Sequence, residues 1–191
     1  TFSLKRVKEV IDCGYDSVII DEAEKSFDEN IKVTKEAVVY AKEKGVLVEA
    51  ELGFIGKSSK LLDEIPEGVS KTTVEEARKF VEETGIDLFA PAVGNVHGML
   101  KSGLEPKLDI ELIKQIKEAV KIPLVLHGAS GNSDEEIKEA ISAGISIIHI
   151  NTELRVAYRK GLMKSLQASP DEIAPYKYLR PALHEMQAIV E

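Results

Sequence analysis

Histidine, acidic and small polar residues stand at the ends of short apolar segments at five places in the sequence. They are Asp21, Glu49 with Glu51, Asn95 with His97, His127, and His149 with Asn151 and Thr152. Three of the four histidines in the chain belong to this set. Imidazole nitrogens and carboxylate oxygens are ligands that Zn²⁺ and related divalent ions accept in proteins. The pattern therefore indicates a chemical site, with metal binding as one candidate.

The apolar segments have the length and composition of buried β-strands. They span residues 17–21, 46–51, 88–93, 123–126 and 145–150. Between them, apolar residues recur with helical spacing, as at Val74, Ala77 and Val81, and a glycine follows, as at Gly85. Strands that alternate with helices predict an α/β fold with a parallel sheet. The carboxyl ends of such strands share one edge, where sites form.

Two architectures fit this alternation, an open doubly wound sheet and a (β/α)8 barrel. No Gly-x-Gly-x-x-Gly motif follows a predicted strand, so the dinucleotide-binding form of the open sheet has no support. Five strands are too few for a barrel of eight, and about three missing upstream βα units would reconcile the count. We expect a single domain over residues 1–191.

The composition indicates a folded, acidic chain. The 191 residues include 25 Lys and Arg against 33 Asp and Glu, a formal net charge of −8, and 43% are hydrophobic. Nucleic acids and anionic membranes select a clustered basic surface, which the sequence does not show. No run of about 18 apolar residues is present, and the first residues lack the layout of a signal peptide. We therefore predict a cytoplasmic protein without nucleic-acid or membrane partners.

His97 and His127 are the leading candidates for metal ligands. Each follows a predicted strand and precedes a glycine, at which the backbone can approach a ligand closely. Imidazoles from neighbouring strands would bind a divalent ion such as Zn²⁺, whereas histidines held by backbone hydrogen bonds are the alternative. Glu49 and Glu51 point to the same side of a strand and would need a cation or hydrogen-bond donors if buried. Solvated acids at a strand end are the alternative for this pair.

Small, donor-rich turns predict an anion site beside these residues. Gly128 and Ser130 lie in the turn GASG, and Asn151 and Thr152 precede a predicted helix. Backbone N–H groups and hydroxyls in such turns bind phosphate, and Lys101 would add a positive charge. The same residue types also serve as ordinary turn and N-cap residues, so both interpretations stay open.

Two further patterns concern local structure. Thr73 to Glu76 and Ser133 to Glu136 match the capping box that starts a helix. Residues 53–71 lack periodicity over a length that is typical of functional lids or disordered connections.

Four motifs, considered with their order and spacing, are typical of one protein family. They lie at residues 48–53 (VEAELG), 94–98 (GNVHG), 123–131 (PLVLHGASG) and 150–153 (INTE). Together with residues 27–31 and 177–179, they resemble the class II metal-dependent fructose-bisphosphate aldolases over essentially the whole chain. The resemblance implies a zinc-dependent (β/α)8 barrel. Such an enzyme reversibly cleaves fructose 1,6-bisphosphate to dihydroxyacetone phosphate and glyceraldehyde 3-phosphate through a zinc-stabilised enediolate.

The resemblance also implies roles for individual residues. His97 and His127 would be zinc ligands, with Glu51 beside the metal as an alternative ligand. The residues implied to bind dihydroxyacetone phosphate, some of them near a monovalent cation, are Gly98, Lys101, Gly128, Ser130, His149, Asn151 and Thr152. Family members commonly carry Asn at the position of His149 and often Asp at that of Asn151, which leaves the substrate preference open.

The sequence also departs from the family pattern. The third zinc histidine and the catalytic aspartate of the family form an earlier Asp-His pair, and we expect this chain to begin just after it. The proton-transferring glutamate of the family is not visible in residues 56–60, and Asp63 or Glu64 is a candidate substitute. A tagatose 1,6-bisphosphate aldolase and a non-catalytic sugar-phosphate-binding relative are therefore the alternative functions.

The resemblance further implies a homodimer or homotetramer. The helix predicted for residues 176–190 is a candidate contact, and packing of that helix against its own barrel is the alternative.

Overall fold

The central feature of the computed structural model, which describes residues 3–57 and 60–191, is a five-stranded parallel sheet. Its strands are β1 (Ser17–Ile20), β2 (Leu47–Leu52), β4 (Leu88–Pro91), β6 (Leu124–Leu126) and β7 (Ile145–Ile148). Two short strands, β3 (Leu61–Leu62) and β5 (Met99–Leu100), lie outside this sheet. The helices are α1 (Leu4–Asp12), α2 (Phe27–Lys42), α3 (Val74–Thr84), α4 (Ile110–Val120), α5 (Asp134–Ala143), α6 (Thr152–Ala168), α7 (Pro175–Tyr178) and α8 (Arg180–Val190).

The order of strands in the sheet is that of a barrel segment. It runs β1-β2-β4-β6-β7, with every neighbouring pair parallel. Each strand of this sheet lies beside the one before it, without the reversal of order that defines a doubly wound sheet. The prediction of a parallel α/β fold with five βα units is confirmed.

The helices pack on the sheet through the apolar faces that the sequence pattern predicts. In α4, Ile113 and Ile116 are fully buried, and on β4 the ring of Phe89 lies with its centroid 5.9 Å from that of Phe80 in α3. Burying a side chain of this size contributes about 1.5–3 kcal/mol to folding. This core fixes the strand ends from which the site residues project.

The two predicted capping boxes differ in the structure. The hydroxyl of Thr73 accepts the N–H of Glu76, and the carboxylate of Glu76 accepts the N–H of Thr73, so the first box is complete. The hydroxyl of Ser133 accepts the N–H of Glu136, but the carboxylate of Glu136 instead accepts the N–H of Leu108 at 2.6 Å. The second box is therefore half formed, because Glu136 ties α5 to the segment that precedes α4.

The segment after β2 has regular structure that its sequence does not predict. Leu61 and Leu62 in β3 pair in parallel with Met99 and Leu100 in β5, forming a separate two-stranded sheet. Residues 56–60 are where the sequence departs from the family pattern, and two of them, Ser58 and Ser59, lie outside the described residues. Thr1 and Phe2 lie outside them as well. The loops that follow β2 and β4 are thus joined by backbone hydrogen bonds.

The final helices pack on each other. A Cβ at Gly161 in α6 would lie 2.7 Å from the Cα of Ala182 in α8, and Ala182 is fully buried. α6 ends at Ala168, and a turn follows it at residues 170–171. Within residues 3–57 and 60–191, every helix falls short of the length and apolar character that crossing a membrane requires.

Candidate metal and anion site

His127 lies at the centre of the site, between the two acidic side chains of β2. Its Nε2 atom is 2.7 Å from Oε1 of Glu49, and its Nδ1 atom is 2.9 Å from Oε1 of Glu51. All three residues are buried, with 5% to 8% of their surface exposed. The prediction that both carboxylates face one side of the strand is confirmed, and the alternative of solvated acids is wrong.

His97 joins this centre from the end of β4. One ligand atom from each of Glu51, His97 and His127 lies within 4.8 Å of the others. The Nδ1 atom of His97 is 2.8 Å from the carbonyl oxygen of Gly56, so it donates to that carbonyl and Nε2 is left to bind an ion. Metal-binding histidines in proteins usually donate their other ring N–H to a carbonyl or a carboxylate in this way.

The donor set suits a transition ion of the zinc type. Two imidazoles and a carboxylate are a common protein ligand set for Zn²⁺, which also keeps an open position in catalytic sites. Mg²⁺ and Ca²⁺ prefer sites made entirely of oxygen ligands. The residues of this chain therefore fit the metal that the family resemblance implies.

The carboxylates also determine the charge of His127. Burial alone would lower the pKa of the imidazole, but the hydrogen bonds to Glu49 and Glu51 outweigh it and raise the pKa to about 9. His127 is therefore cationic at neutral pH when no ion is bound. A metal ion must displace one of its protons, as is general for histidine ligands.

A second group of donors lies on the other side of the His127 ring. One ligand atom from each of Glu49, His127 and His149 lies within 4.8 Å of the others. The ring centroids of His127 and His149 are 4.6 Å apart, and His149 is exposed to the open side of the site. Burial and the charge of His127 lower the pKa of His149, so its nitrogen is available as a ligand.

A cavity of about 300 Å³ opens over these groups. The predicted residues that line it are His97, Gly98, His127, Gly128, Ser130, His149, Asn151 and Thr152, and the lining also includes Asp21, Gly56, Lys57 and Arg155. Eight predicted residues from three strand ends therefore meet at one surface. Glu51 lies below it, in contact with His127.

The turn after β6 depends on a glycine and an asparagine. Gly128 has a φ of +58°, and a Cβ there would lie 2.2 Å from the carbonyl oxygen of Val96. The side chain of Asn95 is buried, and its Nδ2 donates to the carbonyl of His127 at 2.8 Å. These contacts hold the backbone of the His127 turn against the end of β4.

The same turn is tied to the start of α6. The hydroxyl of Ser130 accepts the N–H of Thr152 at 3.1 Å, and the carboxylate of Glu153 accepts the N–H of Gly131. Asn151 is the N-cap of α6, but its side chain makes no capping hydrogen bond. Asn151 and Thr152 both line the cavity, so the positive end of the α6 dipole lies beside it, as in many anion sites.

The structure separates Lys101 from the cavity. Its Nζ atom pairs with the carboxylate of Asp63 at 2.8 Å, beside the small β3-β5 sheet. Arg155, one turn into α6, lines the cavity instead. Sequence reasoning missed Arg155, although its place three residues after Thr152 on the predicted helix puts it on the same face.

Asp21 belongs to the site more closely than its sequence context indicates. It lines the cavity, and its Oδ1 atom accepts the N–H of Ala23 instead of capping α2, whose N-cap is Ser26. Burial and the nearby charge of Glu51 raise the pKa of Asp21. Its position directly after β1, at the edge where the other site residues lie, was the available signal.

A parallel barrel-type sheet with a histidine and carboxylate centre at its carboxyl edge is the arrangement of a barrel protein whose site could bind a metal ion. Comparison with known proteins makes this assignment specific. The sequence model of fructose-bisphosphate aldolase class-II matches residues 1–191. The chain belongs to the class II fructose-bisphosphate aldolase family.

Individual proteins that are similar to this chain support its membership of the family. The chain is 40% identical to the fructose-bisphosphate aldolase of Geobacillus stearothermophilus over 188 residues, which cover 98% of this chain and 64% of the relative. Among crystal structures, a candidate fructose-1,6-bisphosphate aldolase from Coccidioides immitis superposes with a TM-score of 0.82 at 32% identity, covering 99% of this chain and 66% of that one. The YdjI aldolase of Escherichia coli K12 superposes with a TM-score of 0.74 at 35% identity, covering 98% and 61%. The chain thus spans less than two thirds of the length of the curated relative.

Proposed function

We propose that this chain supplies the metal-binding and phosphate-binding half of an aldolase site that cleaves fructose 1,6-bisphosphate to dihydroxyacetone phosphate and glyceraldehyde 3-phosphate. The observation that carries the proposal is the convergence of Glu51, His97 and His127 within 4.8 Å under a cavity lined by the turn that contains Gly128 and Ser130. Membership of the family supports the same reaction class.

The metal would be held by His97 and His127, with Glu51 beside them. A bound Zn²⁺ would act as a Lewis acid toward the substrate ketone and stabilise the negative charge that develops when the carbon–carbon bond breaks. The chain itself orients both imidazoles, His97 through the carbonyl of Gly56 and His127 through the carboxylates of β2.

The other residues of the cavity would bind the phosphate of dihydroxyacetone phosphate. Gly128 would allow the substrate to approach the backbone, and the start of α6 would contribute the positive end of its dipole. Arg155 adds a guanidinium that can bind two phosphate oxygens at once. This arrangement would set positive charge beside the substrate phosphate, which would strengthen substrate binding and help to orient the ketone at the metal.

A metal-replacement assay tests the proposal. In a protein that contains this chain together with the expected upstream Asp-His pair, cleavage of fructose 1,6-bisphosphate, followed through the triose phosphates formed, should stop when a chelator removes the metal and return with Zn²⁺. His127→Ala should bind little zinc and lack activity, whereas His184→Ala, which removes an exposed imidazole outside the cavity, should retain both. Well-folded protein that neither binds zinc nor cleaves the substrate would instead favour a non-catalytic sugar-phosphate-binding relative.

The choice of sugar is a separate part of the proposal. Fructose and tagatose 1,6-bisphosphate differ at one hydroxyl-bearing carbon, so a few contacts decide between them. We propose fructose as the preferred sugar, and parallel assays would show a higher kcat/KM for fructose 1,6-bisphosphate. A higher value for the tagatose isomer would reverse the assignment.

We further propose a cytoplasmic homodimer or homotetramer that contacts through α8. One face of this helix packs on α6, but Leu183 and Val190 expose 56% and 76% of their surface on its other faces. Leu183→Glu should lower the molar mass measured by light scattering, whereas Leu104→Glu, at an exposed site in the loop before α4, should not. An unchanged mass in Leu183→Glu would exclude this contact.

A further inference from the structure

The backbone carbonyl of Glu51 is held by a side chain from another element. The Nδ2 atom of Asn30, the fourth residue of α2, donates to this carbonyl at 3.0 Å. β1 pairs with β2 as far as Ile20, which lies opposite Ala50, so Glu51 lies one residue beyond that pairing. Asn30 therefore satisfies the carbonyl of Glu51 at the point where β1 has ended.

The amide of Asn30 is fixed at both ends. A carbonyl oxygen only accepts hydrogen bonds, so the nitrogen of the amide faces Glu51 and its oxygen faces away. The hydroxyl of Thr34, one turn further along α2, donates to that oxygen at 3.0 Å. Asn30 is 1% exposed and Thr34 is fully buried, so bulk water does not compete for either hydrogen bond. Thr34 thus determines which way the amide of Asn30 points.

The first turn of α2 is also fixed. The hydroxyl of Ser26 accepts the N–H of Glu29, and the carboxylate of Glu29 accepts the N–H of Ser26, which completes a capping box. The N–H of Asn30 donates to the carbonyl of Ser26 at 2.9 Å. Asn30 therefore reaches β2 from a helix start whose own backbone is already held.

The residue that Asn30 holds carries a side chain of the candidate metal site. Oε1 of Glu51 is 2.9 Å from Nδ1 of His127, and Glu51, His97 and His127 each have a ligand atom within 4.8 Å of the others. A shift of the Glu51 backbone would move its carboxylate relative to both imidazoles. Loss of a group that orients a metal ligand typically lowers metal affinity about 10- to 100-fold.

We propose that Asn30, with its amide oriented by Thr34, is a positioning residue that fixes the carboxylate of Glu51 for ion binding. The described residues that line the cavity include neither Asn30 nor Thr34, so both act through the backbone of Glu51. The inference rests on the ligand role of Glu51 in the proposed function and is independent of the aldolase reaction.

Removal of these groups, with and without the carboxylate of Glu51, tests the proposal. Metal-free protein is titrated with Co²⁺, and the Kd is measured by calorimetry and by the visible absorption of the bound ion. Asn30→Ala should raise the Kd about 10- to 100-fold. Thr34→Val, which leaves the amide in place but frees its orientation, should raise it about 3- to 10-fold. In a Glu51→Ala background, each change should alter the Kd by about twofold or less, because the carboxylate that they position is gone.

Thr84→Val is the matched control. The hydroxyl of Thr84 is also buried, and it donates to the carbonyl of Phe80 within α3 at 2.6 Å. This change removes one buried hydrogen bond far from β2 and should leave the Kd for Co²⁺ within about twofold of the wild-type value. Urea unfolding of every variant checks that folded proteins are compared, and Thr34→Val keeps the test decisive if Asn30→Ala does not fold.

Three results would overturn the proposal. If Asn30→Ala and Thr34→Val bind Co²⁺ as tightly as the wild type while Glu51→Ala binds it more weakly, the positioning role is wrong and the ligand role of Glu51 stands. Equal losses of affinity with and without Glu51 would show a general disturbance of the fold in place of positioning. A wild-type Kd in Glu51→Ala would overturn the ligand role of Glu51 in the proposed function, and the positioning role with it.

Discussion

The Nδ2 atom of Asn95 donates a hydrogen bond to the carbonyl oxygen of His127 over 2.8 Å, joining the segment after β4 to the end of β6. The Oδ1 atom of Asn95 accepts the N–H of Val93 at 2.8 Å, so both ends of the amide are used. A single buried side chain thus sets the spacing between the two strand ends that carry His97 and His127.

Asn95→Ala should lower both stability and metal affinity. It leaves the N–H of Val93 and the carbonyl of His127 without partners, which costs about 1–3 kcal/mol for each buried group. Urea unfolding and Zn²⁺ titration measure the two effects. Asn132→Ala, in the loop after the same turn, removes a partly buried hydrogen bond to Glu136 and should cost about 1 kcal/mol or less. Equal losses in the two variants would show that Asn95 has no special role in holding the site.

Gly128→Ala should be far more harmful than Gly45→Ala. Both residues have a positive φ, +58° and +70°, at which alanine is disfavoured by about 1–2 kcal/mol. A Cβ at Gly45 would meet nothing within 4 Å, whereas one at Gly128 would lie 2.2 Å from the carbonyl oxygen of Val96. We expect Gly128→Ala to lose Zn²⁺ binding and several kcal/mol of unfolding free energy by thermal or urea unfolding. Equal stability of the two variants would contradict the close packing of Gly128 against the carbonyl oxygen of Val96.

Arg155 should matter more than Lys101 for substrate phosphate. Arg155 lines the cavity, whereas the ammonium of Lys101 pairs with Asp63. Arg155→Met removes a hydrogen bond from a charged donor, which costs about 1.5–3 kcal/mol. This loss corresponds to about a 10- to 100-fold rise in KM for the bisphosphate. Lys101→Met should change KM by less than about threefold, on the scale of an exposed ion pair. Steady-state kinetics of both variants decide the matter, and a larger effect from Lys101 would restore the role that the family resemblance implies.

Asp109 gives the protein a component of stability that depends on pH. Its hydrogen bond with Lys71, and then that with the N–H of Leu112, lower the pKa of Asp109 below its ordinary value. A carboxyl with a lowered pKa stabilises the folded state above its unfolded pKa, and this contribution is lost as the pH falls through the folded pKa. The stability difference between the wild type and Asp109→Asn should therefore be full at neutral pH and shrink below about pH 4. Asparagine retains the N-cap of α4, so the comparison isolates the charge.

Lys71→Met is the matching control for this pH dependence. With the lysine absent, the largest cause of the lowered pKa is gone, and the effect of adding Asp109→Asn to the Lys71→Met protein should vary less with pH. Urea unfolding at several pH values measures the effect of Asp109→Asn in both backgrounds. An effect in the wild-type background that stays constant from pH 7 to about pH 3 would contradict the role of Asp109.

The elements of the fold were predictable because each is determined by neighbouring residues. Apolar spacing and a following glycine place α3, and the run from Leu88 gives β4, with errors of one or two residues at the ends. The strand ends then bring the predicted site residues to one edge, since all the strands of the main sheet are parallel. Position along the chain was therefore enough to locate most of the candidate site, although it missed Arg155 and wrongly included Lys101.

The contacts within the site were not predictable in the same way. His127 and Glu49 are 78 residues apart, and their approach depends on how β2, β4 and β6 pack side by side. Glu136 had two partners within reach, the start of its own helix and the N–H of Leu108, and only packing decided between them. Strands of two residues, such as β3, carry no periodicity that a sequence could show.

The pairing of β3 with β5 bears on how this fold could be engineered. The segments after β2 and β4 are joined by that pairing and by the ion pair of Lys101 with Asp63, so they form one exchangeable unit. A chimera that replaces residues 53–71 alone would present the resident β5 with a strand selected for another partner. Grafting residues 53–71 and 98–108 together would exchange both strands of the small sheet at once and leave His97 in place, which makes this pair of loops a suitable unit for testing what the rim of the cavity contributes to ligand selection.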